Sequence, residues 1–429
     1  MSRTMSQYGP ILLICHGFPP VRGIGGRRWA KFAKELARRG YTVHVIRSAG
    51  SKGRMDSLWS EDTRHEGIVH HPLPHAYPAV MTKRPLTSVV EKVMYRVWSN
   101  LLPFLVRGNI YDPGVFWRRR LLAESRRLIR GHDIRTVIVT GAPFSLMAFA
   151  AELKTPFPEL HLVADFRDPW TWGTDYGFGT LAPERMRHEQ DREAMVARTF
   201  DKLIASTSSI TEHLRSTYGG APEQYATIPH AVDPDDLHVA PSPVDDGMFK
   251  MIYAGSLYSS MEAERYLQAL MEAFKALREK HPAVFAKCRF DLFITGDGTR
   301  PYEQLAKDHG LEKQIHFHSP LPPKEILERI AGSDLVLAFL PGNKKDIMVT
   351  KFNEIFHLRR PILHIGEPGV VSRTIVGRKL GDSLRVEELV TELPRIISGE
   401  RTIEIDRNAD HSEHLLATIT DKLISEVLA

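Results

Sequence analysis

Short apolar runs and longer amphipathic segments alternate along most of this chain. The segments between the runs often have apolar residues at helical spacing, as in residues 27–39, whose Trp29, Phe32 and Leu36 share one face. Strands that alternate with helices predict an α/β fold with parallel sheets. The apolar runs have the length of strands and occupy residues 11–15, 41–46, 136–140, 160–164, 202–206, 249–254, 290–295, 314–318, 335–340 and 361–365.

The alternation is interrupted between residues 50 and 130. Residues 89–105 have roughly helical apolar spacing, but the remainder of this segment shows no clear period. A loose group of histidines lies beside two prolines, which predicts a loop, and its spacing fits no metal site. The histidines are His65, His70, His71 and His75.

The second half of that segment, residues 81–130, mixes aromatic residues with positive charge. Two interpretations stay open from the residues alone: a solvated basic face, or a surface that binds anionic lipid. The cations include Lys83, Arg84, Lys92, Arg96, Arg107, Arg118, Arg119, Arg120, Arg126 and Arg127.

Length and composition indicate a globular protein with more than one domain. The chain has 429 residues, 42% hydrophobic and 25% charged, which is too long for a single hydrophobic core. Residues 239–247 have the composition of a linker, so we expect one domain at 1–238 and a second at 248–410. The formal net charge of +5 mildly favours anionic partners.

The cysteines and the hydropathy pattern predict the compartment. Cys15 and Cys288 are the only cysteines and lie in separate apolar runs, which predicts buried free thiols in a reducing environment. The run at 11–15 is too short for the core of a signal peptide, and no segment reaches the roughly 18 apolar residues of a membrane span. We therefore expect a cytoplasmic protein.

Residues 335–366 contain the strongest candidate site. An apolar run, a polar loop, a short helix that Thr350 can cap and a second apolar run follow one another, and the loops of such a unit lie at the carboxyl ends of its strands. Lys351 at the helix N-terminus suits a phosphate group. Glu354, one turn further, can accept two hydrogen bonds from a vicinal diol such as that of ribose. A second carboxylate, Asp346, stands in the loop.

Two acids separated by seven residues, the second in a Lys-x-x-Glu helix followed by Arg-Pro-Ile-Leu, resemble a known signature. It is the donor site of retaining, nucleotide-sugar-dependent glycosyltransferases of family four, the group 1 glycosyltransferases. The resemblance implies that Glu354 holds the ribose hydroxyls, Lys351 and Thr350 hold phosphate, and Asp346 holds a hydroxyl of the donor sugar. The family usually has glutamate where this chain has the shorter Asp346.

The first strand and the loop after it form a Rossmann-type opening, so a dinucleotide site is the alternative. The loop lacks the complete Gly-x-Gly-x-x-Gly pattern, and the second strand ends in Arg47 rather than in an acid that would hold a ribose. NAD binding is therefore not expected. In the family that the chain resembles, glycines placed like Gly25 and Gly26 face the donor diphosphate.

A charged and aromatic segment follows the strand at 160–164. Open α/β sheets bind their ligands at such strand ends. Arg167 and Asp168, with Trp170 nearby, resemble the catalytic-site polar pair of one branch of the family. The alternative is an Arg–Asp pair that only ties down a loop.

The second half of the chain carries three further positions of the resemblance. Gly255 and Ser256 stand where many members place an arginine and a lysine for the diphosphate. Gly296 lies in a turn that resembles the family's Gly-x-Gly beneath the nucleotide, and Leu321 lies where backbone atoms read the nucleobase.

The resemblance implies the GT-B fold, in which two Rossmann-like α/β domains face each other across a cleft and a terminal helix, here 411–429, packs back on the first domain. It implies transfer of a sugar from a nucleotide diphosphate sugar, such as a UDP-sugar, with retention at the anomeric carbon. The acceptor would be a carbohydrate or a lipid-linked molecule in bacterial-type polysaccharide, glycolipid or glycoconjugate biosynthesis.

No metal, no other cofactor and no nucleic acid partner are expected. Peripheral binding at the anionic inner membrane face stays open beside the solvated basic face. Two alternatives remain open: a GT-B sugar-nucleotide epimerase, and a degenerate, non-catalytic subunit that binds nucleotide sugars. The shorter Asp346 and the missing Arg/Lys pair motivate the second alternative.

Overall fold

The computed structural model describes residues 8–50, 55, 57–83, 85–237, 246–257, 261–294, 300–340, 342, 345, 348 and 350–429. The chain forms two compact units. The N-terminal domain comprises Met1–Ala231 with Leu416–Ala429, and the C-terminal domain comprises Val232–Leu415. Of the predicted linker, residues 239–245 lie outside the described residues.

Within the described part of the N-terminal domain, seven parallel strands form one sheet in the order β3-β2-β1-β4-β5-β6-β7. The chain order reverses between β1 and β4, and the carboxyl ends of strands at such a switch point are where open α/β sheets bind ligands. The strands are β1 (Ile11–Ile14), β2 (Val43–Ser48), β3 (Ile68–Leu73), β4 (Thr136–Gly141), β5 (His161–Phe166), β6 (Lys202–Ala205) and β7 (Tyr225–Thr227).

Helices cover both faces of this sheet. Side chains alternate along each strand, so Leu12 and Ile14 of β1 pack into one hydrophobic core while Leu13 packs into the other with Trp29 and Leu36. The helices are α1 (Arg27–Arg38), α2 (Ala79–Thr82), α3 (Val89–Leu105), α4 (Arg118–His132), α5 (Ser145–Ala150), α6 (Pro183–Thr199) and α7 (Ser208–Tyr218).

The prediction of a loop around the clustered histidines was wrong. Residues 68–73 form β3, which contains His70 and His71 and pairs with β2 at the edge of the sheet. Proline is tolerated on an edge strand because one side needs no ladder hydrogen bond, so Pro72 does not prevent the strand. His71 Nε2 lies 3.1 Å from His44 Nδ1 of β2, a contact that neither spacing nor periodicity could show.

The C-terminal domain repeats the same architecture. Its described residues form a parallel sheet in the order β10-β9-β8-β11-β12-β13. The strands are β8 (Phe249–Gly255), β9 (Cys288–Ile294), β10 (Ile315–His318), β11 (Leu335–Phe339), β12 (Ile362–Ile365) and β13 (Gly381–Leu384). The helices are α8 (Met261–Lys280), α9 (Pro282–Phe285), α10 (Arg300–Asp308), α11 (Pro323–Ala331), α12 (Thr350–His357), α13 (Val370–Gly377) and α14 (Leu389–Ile397).

The predicted strand–helix–strand unit is confirmed as β11, α12 and β12. Phe352, Ile355 and Phe356 of α12 are buried in a core beneath the helix, as their spacing predicted. β12 pairs with β11 in parallel, so the loop from β11 to α12 lies at the carboxyl end of the sheet.

The chain ends in α15 (Leu416–Leu423), which continues as a π-type turn over Ile424–Leu428. Leu416, Ile419 and Leu423 are buried in the same core as α1, and Arg39 donates a hydrogen bond to the carbonyl of Ala417 at 2.9 Å. The helix is shorter than predicted, because residues 412–414 form a separate 3₁₀ turn.

Cys15 and Cys288 are buried free thiols, as their apolar context predicted. Burial raises the pKa of each thiol to about 12, so neither is a nucleophile near neutral pH. No helix in the described ranges is long and apolar enough to cross a membrane.

Candidate functional site

Lys351 projects from the first turn of α12 to the carboxyl end of β8. Its Nζ donates a hydrogen bond to the carbonyl of Ala254 at 3.2 Å and lies 5.1 Å from the centroid of the Tyr253 ring. Burial lowers the pKa of Lys351 to about 8. The ammonium is therefore largely charged at neutral pH, and Ala254 uses one of its three donors.

Gly255 leaves the space that the lysine fills. A Cβ at this position would lie 2.5 Å from Lys351 Nζ, and the backbone φ of +153° belongs to a region that side-chain-bearing residues rarely adopt. The carbonyl of the next residue, Ser256, accepts a hydrogen bond from the Tyr253 hydroxyl at 2.8 Å. Three positions predicted around this turn, Gly255, Ser256 and Lys351, thus lie together.

Glu354 lies one turn beyond Lys351 on α12 and is half-buried. Thr350 begins the helix, but its side chain lies outside the described residues, as do Asp346 and Gly296. The described part of the predicted donor site therefore consists of a cation and a carboxylate on one helix.

Leu321 lies in the loop between β10 and α11 and is half-buried. It lines a cavity of about 600 Å³ together with Phe293 and His318. His318 pairs with Asp291 at 2.6 Å in the wall of this cavity. Among the described residues, neither Lys351 nor Glu354 lines the cavity, so the cavity and the Lys351 cluster are separate features.

The loop from β11 to α12 is attached to its surroundings at three described points. Glu262 at the start of α8 accepts a hydrogen bond from the amide of Gly342 at 3.1 Å, and the Tyr266 hydroxyl donates to the carbonyl of Leu340 at 3.0 Å. The amide of Val370, at the start of α13, donates to the carbonyl of Lys345 at 2.7 Å. Sequence analysis missed Glu262, whose only signal was an acid in the first turn of a helix.

In the N-terminal domain, Arg167 follows β5 and joins two other predicted residues. Its Nε donates to Asp168 Oδ2 at 2.9 Å, and its Nη1 donates to the carbonyl of Gly25. The hydroxyl of Tyr176, which sequence analysis missed, donates to the same Asp168 oxygen at 2.6 Å. Burial alone would lower the pKa of Arg167, but the neighbouring Asp168 and Tyr176 raise it, so the guanidinium stays charged.

Both predicted glycines before α1 lie close to neighbouring atoms. A Cβ on Gly25 would lie 2.8 Å from Arg167 Nη1, and a Cβ on Gly26 would overlap the carbonyl oxygen of Gly17. The glycine loop therefore comes into contact with the Arg167 guanidinium at the carboxyl edge of the sheet.

Three arginines act on His230 at this edge. Burial, followed by the charges of Arg28, Arg27 and Arg167, holds the pKa of His230 well below its usual range. His230 is consequently neutral at physiological pH and adds no positive charge of its own. Two of these arginines are compensated by carboxylates, because Arg28 pairs with Asp165 and Arg167 pairs with Asp168.

The carboxylate of Asp165 is buried beneath this edge and accepts hydrogen bonds from several side chains. Sequence analysis placed Asp165 just after the strand, whereas it lies within β5. The fully buried carboxylate accepts from Arg28 Nη2 at 3.1 Å, from Trp29 Nε1 at 2.6 Å and from Thr140 Oγ1 at 2.9 Å. Since the ion pair is buried and its oxygens are hydrogen-bonded, losing either partner would leave a costly unpaired charge. Asp165 thus fixes the start of α1 against β4 and β5.

Other groups hold the loop that carries Arg167 and Asp168. Trp170 is fully buried and its Nε1 donates to Glu189 Oε2 at 3.0 Å, while the amide of Thr171 donates to Glu193 Oε2 at 3.1 Å. The side chain of Asp168 is 32% exposed. These buried contacts anchor the loop in addition to the Arg167–Asp168 pair.

Two parallel, helix-covered sheets in consecutive domains define the GT-B class of α/β proteins, and solved structures agree. An E. coli structure described as trehalose-6-phosphate bound with UDP-2-fluoro glucose has a TM-score of 0.61 and 14% identity, covering 98% of this chain and 99% of that one. WaaG, a glycosyltransferase involved in lipopolysaccharide biosynthesis, has a TM-score of 0.57 and 15% identity, with coverages of 97% and 99%.

A structure from Listeria monocytogenes described as a UDP-N-acetylglucosamine 2-epimerase is also similar, with a TM-score of 0.57, 13% identity and coverages of 97% and 94%. At these identities the likeness shows the fold. Comparison with the curated proteins gives no significant match. The family model described as Glycosyltransferase Family 4 matches residues 25–236, so this half of the chain is similar to that family, and the solved structures show the GT-B fold.

Proposed function

We propose that this protein transfers a sugar from a nucleotide diphosphate sugar to an acceptor. The observation that carries the proposal is the Lys351 ammonium at the open end of β8, directly over Gly255, with Glu354 one turn away on the same helix. An ammonium group beside a glycine suits a diphosphate, because the glycine has no side chain that would keep the ligand away from the backbone. A nearby carboxylate suits a ribose diol. One structure of the same fold is bound with UDP-2-fluoro glucose, which supports a nucleotide diphosphate sugar as the proposed donor.

In the proposed donor complex, Lys351, Thr350 and the backbone at Gly255 and Ser256 hold the diphosphate. Glu354 accepts hydrogen bonds from the ribose hydroxyls. The backbone at Leu321 would contact the nucleobase, and Gly296 would contact the nucleotide.

For the transfer step, the leaving diphosphate gains negative charge as its bond to the anomeric carbon breaks. The Lys351 ammonium and the amide groups at the start of α12 would stabilise that charge without a bound metal. Asp346 would hold a hydroxyl of the donor sugar. Arg167 and Asp168 would act on the transferred sugar or the acceptor, with retention of the anomeric configuration.

The proposed acceptor is a carbohydrate or a lipid-linked molecule in polysaccharide, glycolipid or glycoconjugate biosynthesis. WaaG, which shares the fold, is described as involved in lipopolysaccharide biosynthesis, and this supports the acceptor class. We place the protein in the cytoplasm at the inner face of a membrane, because the segment 81–130 combines exposed apolar and basic residues.

A second candidate is a sugar-nucleotide epimerase, since a protein described as such shares the fold at a similar TM-score. An epimerase converts the sugar nucleotide without any acceptor and without releasing nucleoside diphosphate. Incubation with sugar nucleotides alone separates the two activities.

Calorimetry with a panel of nucleoside diphosphates tests the donor site itself. Wild type should bind at least one of them, and Glu354→Gln should weaken that binding by about tenfold or more, because a hydrogen bond to a charged group is worth roughly 1.5–3 kcal/mol. Glu325→Gln, at an exposed position on α11, is the matched control and should bind like wild type. Absence of binding to every nucleoside diphosphate would overturn the proposal.

A further inference from the structure

The solvent-exposed side of α3 is apolar. Eleven of its seventeen residues are exposed, and the three polar ones are Lys92, Arg96 and Asn100. At 3.6 residues per turn, the apolar positions occupy an arc of roughly 160°. These residues are Val89, Val90, Val93, Met94, Val97, Leu101, Phe104 and Leu105.

The reverse side of α3 is fixed to the N-terminal domain. Leu102 is fully buried in a small core with Tyr77, Met81 and Val106. Ser88 and Glu91 form a capping box at the first turn of the helix. The apolar face is therefore presented on an anchored helix and is not the result of a frayed segment.

Arg185 of α6 fastens the other end of α3. Its guanidinium donates to the carbonyls of Pro103 at 2.6 Å and Gly108 at 2.9 Å. The Pro103 carbonyl is one of those that a helix C-terminus leaves without an intrahelical partner, and Gly108 lies in the segment that follows the helix. Both ends of the helix are thus set before any partner binds.

The charged residues around the apolar face indicate which kind of partner binds there. Lys92 and Arg96 lie one turn apart along one edge of the face, the exposed Arg107 follows the helix, and the exposed positions of α3 include no acid. A second copy of the chain packed on this face would bring equal charges together. An anionic lipid surface matches the cations while its acyl region takes up the apolar side chains.

We infer that α3 docks this protein on an anionic lipid bilayer, lying in the plane of the interface with its apolar face toward the acyl chains. At 17 residues, only part of whose surface is apolar, the helix suits the interface rather than a span. The inference deepens the membrane part of the proposed function. It is tested without sugar nucleotide, so its failure is distinguishable from failure of the glycosyl-transfer proposal.

The experiment is co-sedimentation of the full chain with vesicles of phosphatidylcholine alone or mixed with phosphatidylglycerol. Wild type should bind the mixed vesicles and bind the neutral ones more weakly. Val93→Glu/Val97→Glu should lower the binding by about tenfold or more, because two apolar side chains are lost from the interface and two like charges are added. Lys92→Glu/Arg96→Glu should remove the preference for anionic lipid.

Val376→Glu on α13 is the matched control. Its side chain is 50% exposed, as is that of Val97, and it lies in the other domain. This variant should bind vesicles like wild type, and circular dichroism should show equal folding of all variants, since every substituted residue is exposed.

Two results would overturn the inference. One is equal binding of wild type and Val93→Glu/Val97→Glu to the mixed vesicles, or no binding by either. The other is a wild-type dimer in sedimentation velocity that the double substitution dissociates, which would assign the face to a second copy of the chain.

Discussion

The Lys351 ammonium occupies the space that a side chain on Gly255 would need, since Nζ lies 2.5 Å from the position of a Cβ at residue 255. A Cβ at residue 255 would therefore require the ammonium at the end of the Lys351 side chain to shift. The same ammonium donates to the carbonyl of Ala254. The Lys351 ammonium therefore lies at the carboxyl end of β8 in the C-terminal sheet, where we propose that a diphosphate binds.

Lys351→Met removes that cation and keeps an unbranched side chain of similar length. Nucleoside diphosphate affinity should fall by about 10- to 100-fold, because a charge-assisted hydrogen bond is worth roughly 1.5–3 kcal/mol. Isothermal titration calorimetry measures the change. Lys307→Met, at an exposed position on α10, is the control, and equal affinity of both variants and wild type would refute the role of Lys351.

The diphosphate affinity should depend on pH through Lys351. A lysine is protonated below its pKa and neutral above it, and burial lowers the pKa of Lys351 to about 8. The affinity should therefore be highest below pH 8 and fall as the pH rises through that value. Arginine stays charged throughout this pH range, so Lys351→Arg should lose this dependence. Calorimetry in buffers of different ionisation enthalpy should show proton uptake on binding near pH 8 for wild type, and its absence would contradict the assignment.

Gly255→Ala should impair donor binding more than it impairs folding. The added Cβ displaces the Lys351 ammonium, and the φ of +153° becomes strained, at a cost of about 1–3 kcal/mol. Gly399→Ala is the control, because it has a φ of +83° with no atom within 4 Å of its Cβ position. Thermal unfolding should show a loss of stability in both variants, and calorimetry a loss of nucleotide affinity in Gly255→Ala alone. Unchanged affinity there would show that the lysine position is not needed.

Arg167→Lys should lower turnover without lowering nucleotide affinity. A lysine lacks the planar guanidinium that contacts Asp168 and the Gly25 carbonyl at once, so Asp168 would keep its hydrogen bond from Tyr176 but lose the one from Arg167. We expect kcat to fall by about tenfold or more, the equivalent of roughly 1.4 kcal/mol. Arg118→Lys, whose exposed pair with Glu152 lies in the same domain, should leave kcat unchanged. Wild-type kcat in Arg167→Lys would assign the pair to loop structure only.

Asp346→Asn separates sugar binding from nucleotide binding. If the carboxylate holds a donor-sugar hydroxyl, the variant should turn over about tenfold or more slowly while nucleoside diphosphate affinity stays close to wild type. Asp346→Glu restores the residue usual in the family and should retain activity. Full activity of Asp346→Ala on the donor would mean that the acid spacing is a coincidence.

The fold could be predicted from sequence wherever apolar runs are fully buried strands. The runs at 11–15 and 335–340 became β1 and β11 because parallel strands covered on both faces read as continuous apolar segments. β3 was missed because its sequence, Ile-Val-His-His-Pro-Leu, has no strand period and contains Pro72, which an edge strand can hold but which looks like a loop in a single sequence.

The site was predictable only where its residues are near in sequence. Lys351 and Glu354 share a helix, so their spacing sufficed. The Arg28–Asp165 pair spans 137 residues, and nothing in either segment indicates the other. Glu189, Glu193 and Tyr176 were missed for the same reason, since they act through contacts formed only after the chain has folded.

The most direct test of glycosyl transfer is incubation of the protein with a panel of nucleotide diphosphate sugars, followed by mass spectrometry of nucleotide and sugar products. The account predicts that wild type releases nucleoside diphosphate from at least one donor, with the sugar transferred to water or an added acceptor, and that Lys351→Met/Glu354→Gln does not. No release from any donor, equal release by the double variant, or an isomerised sugar nucleotide without release would contradict it.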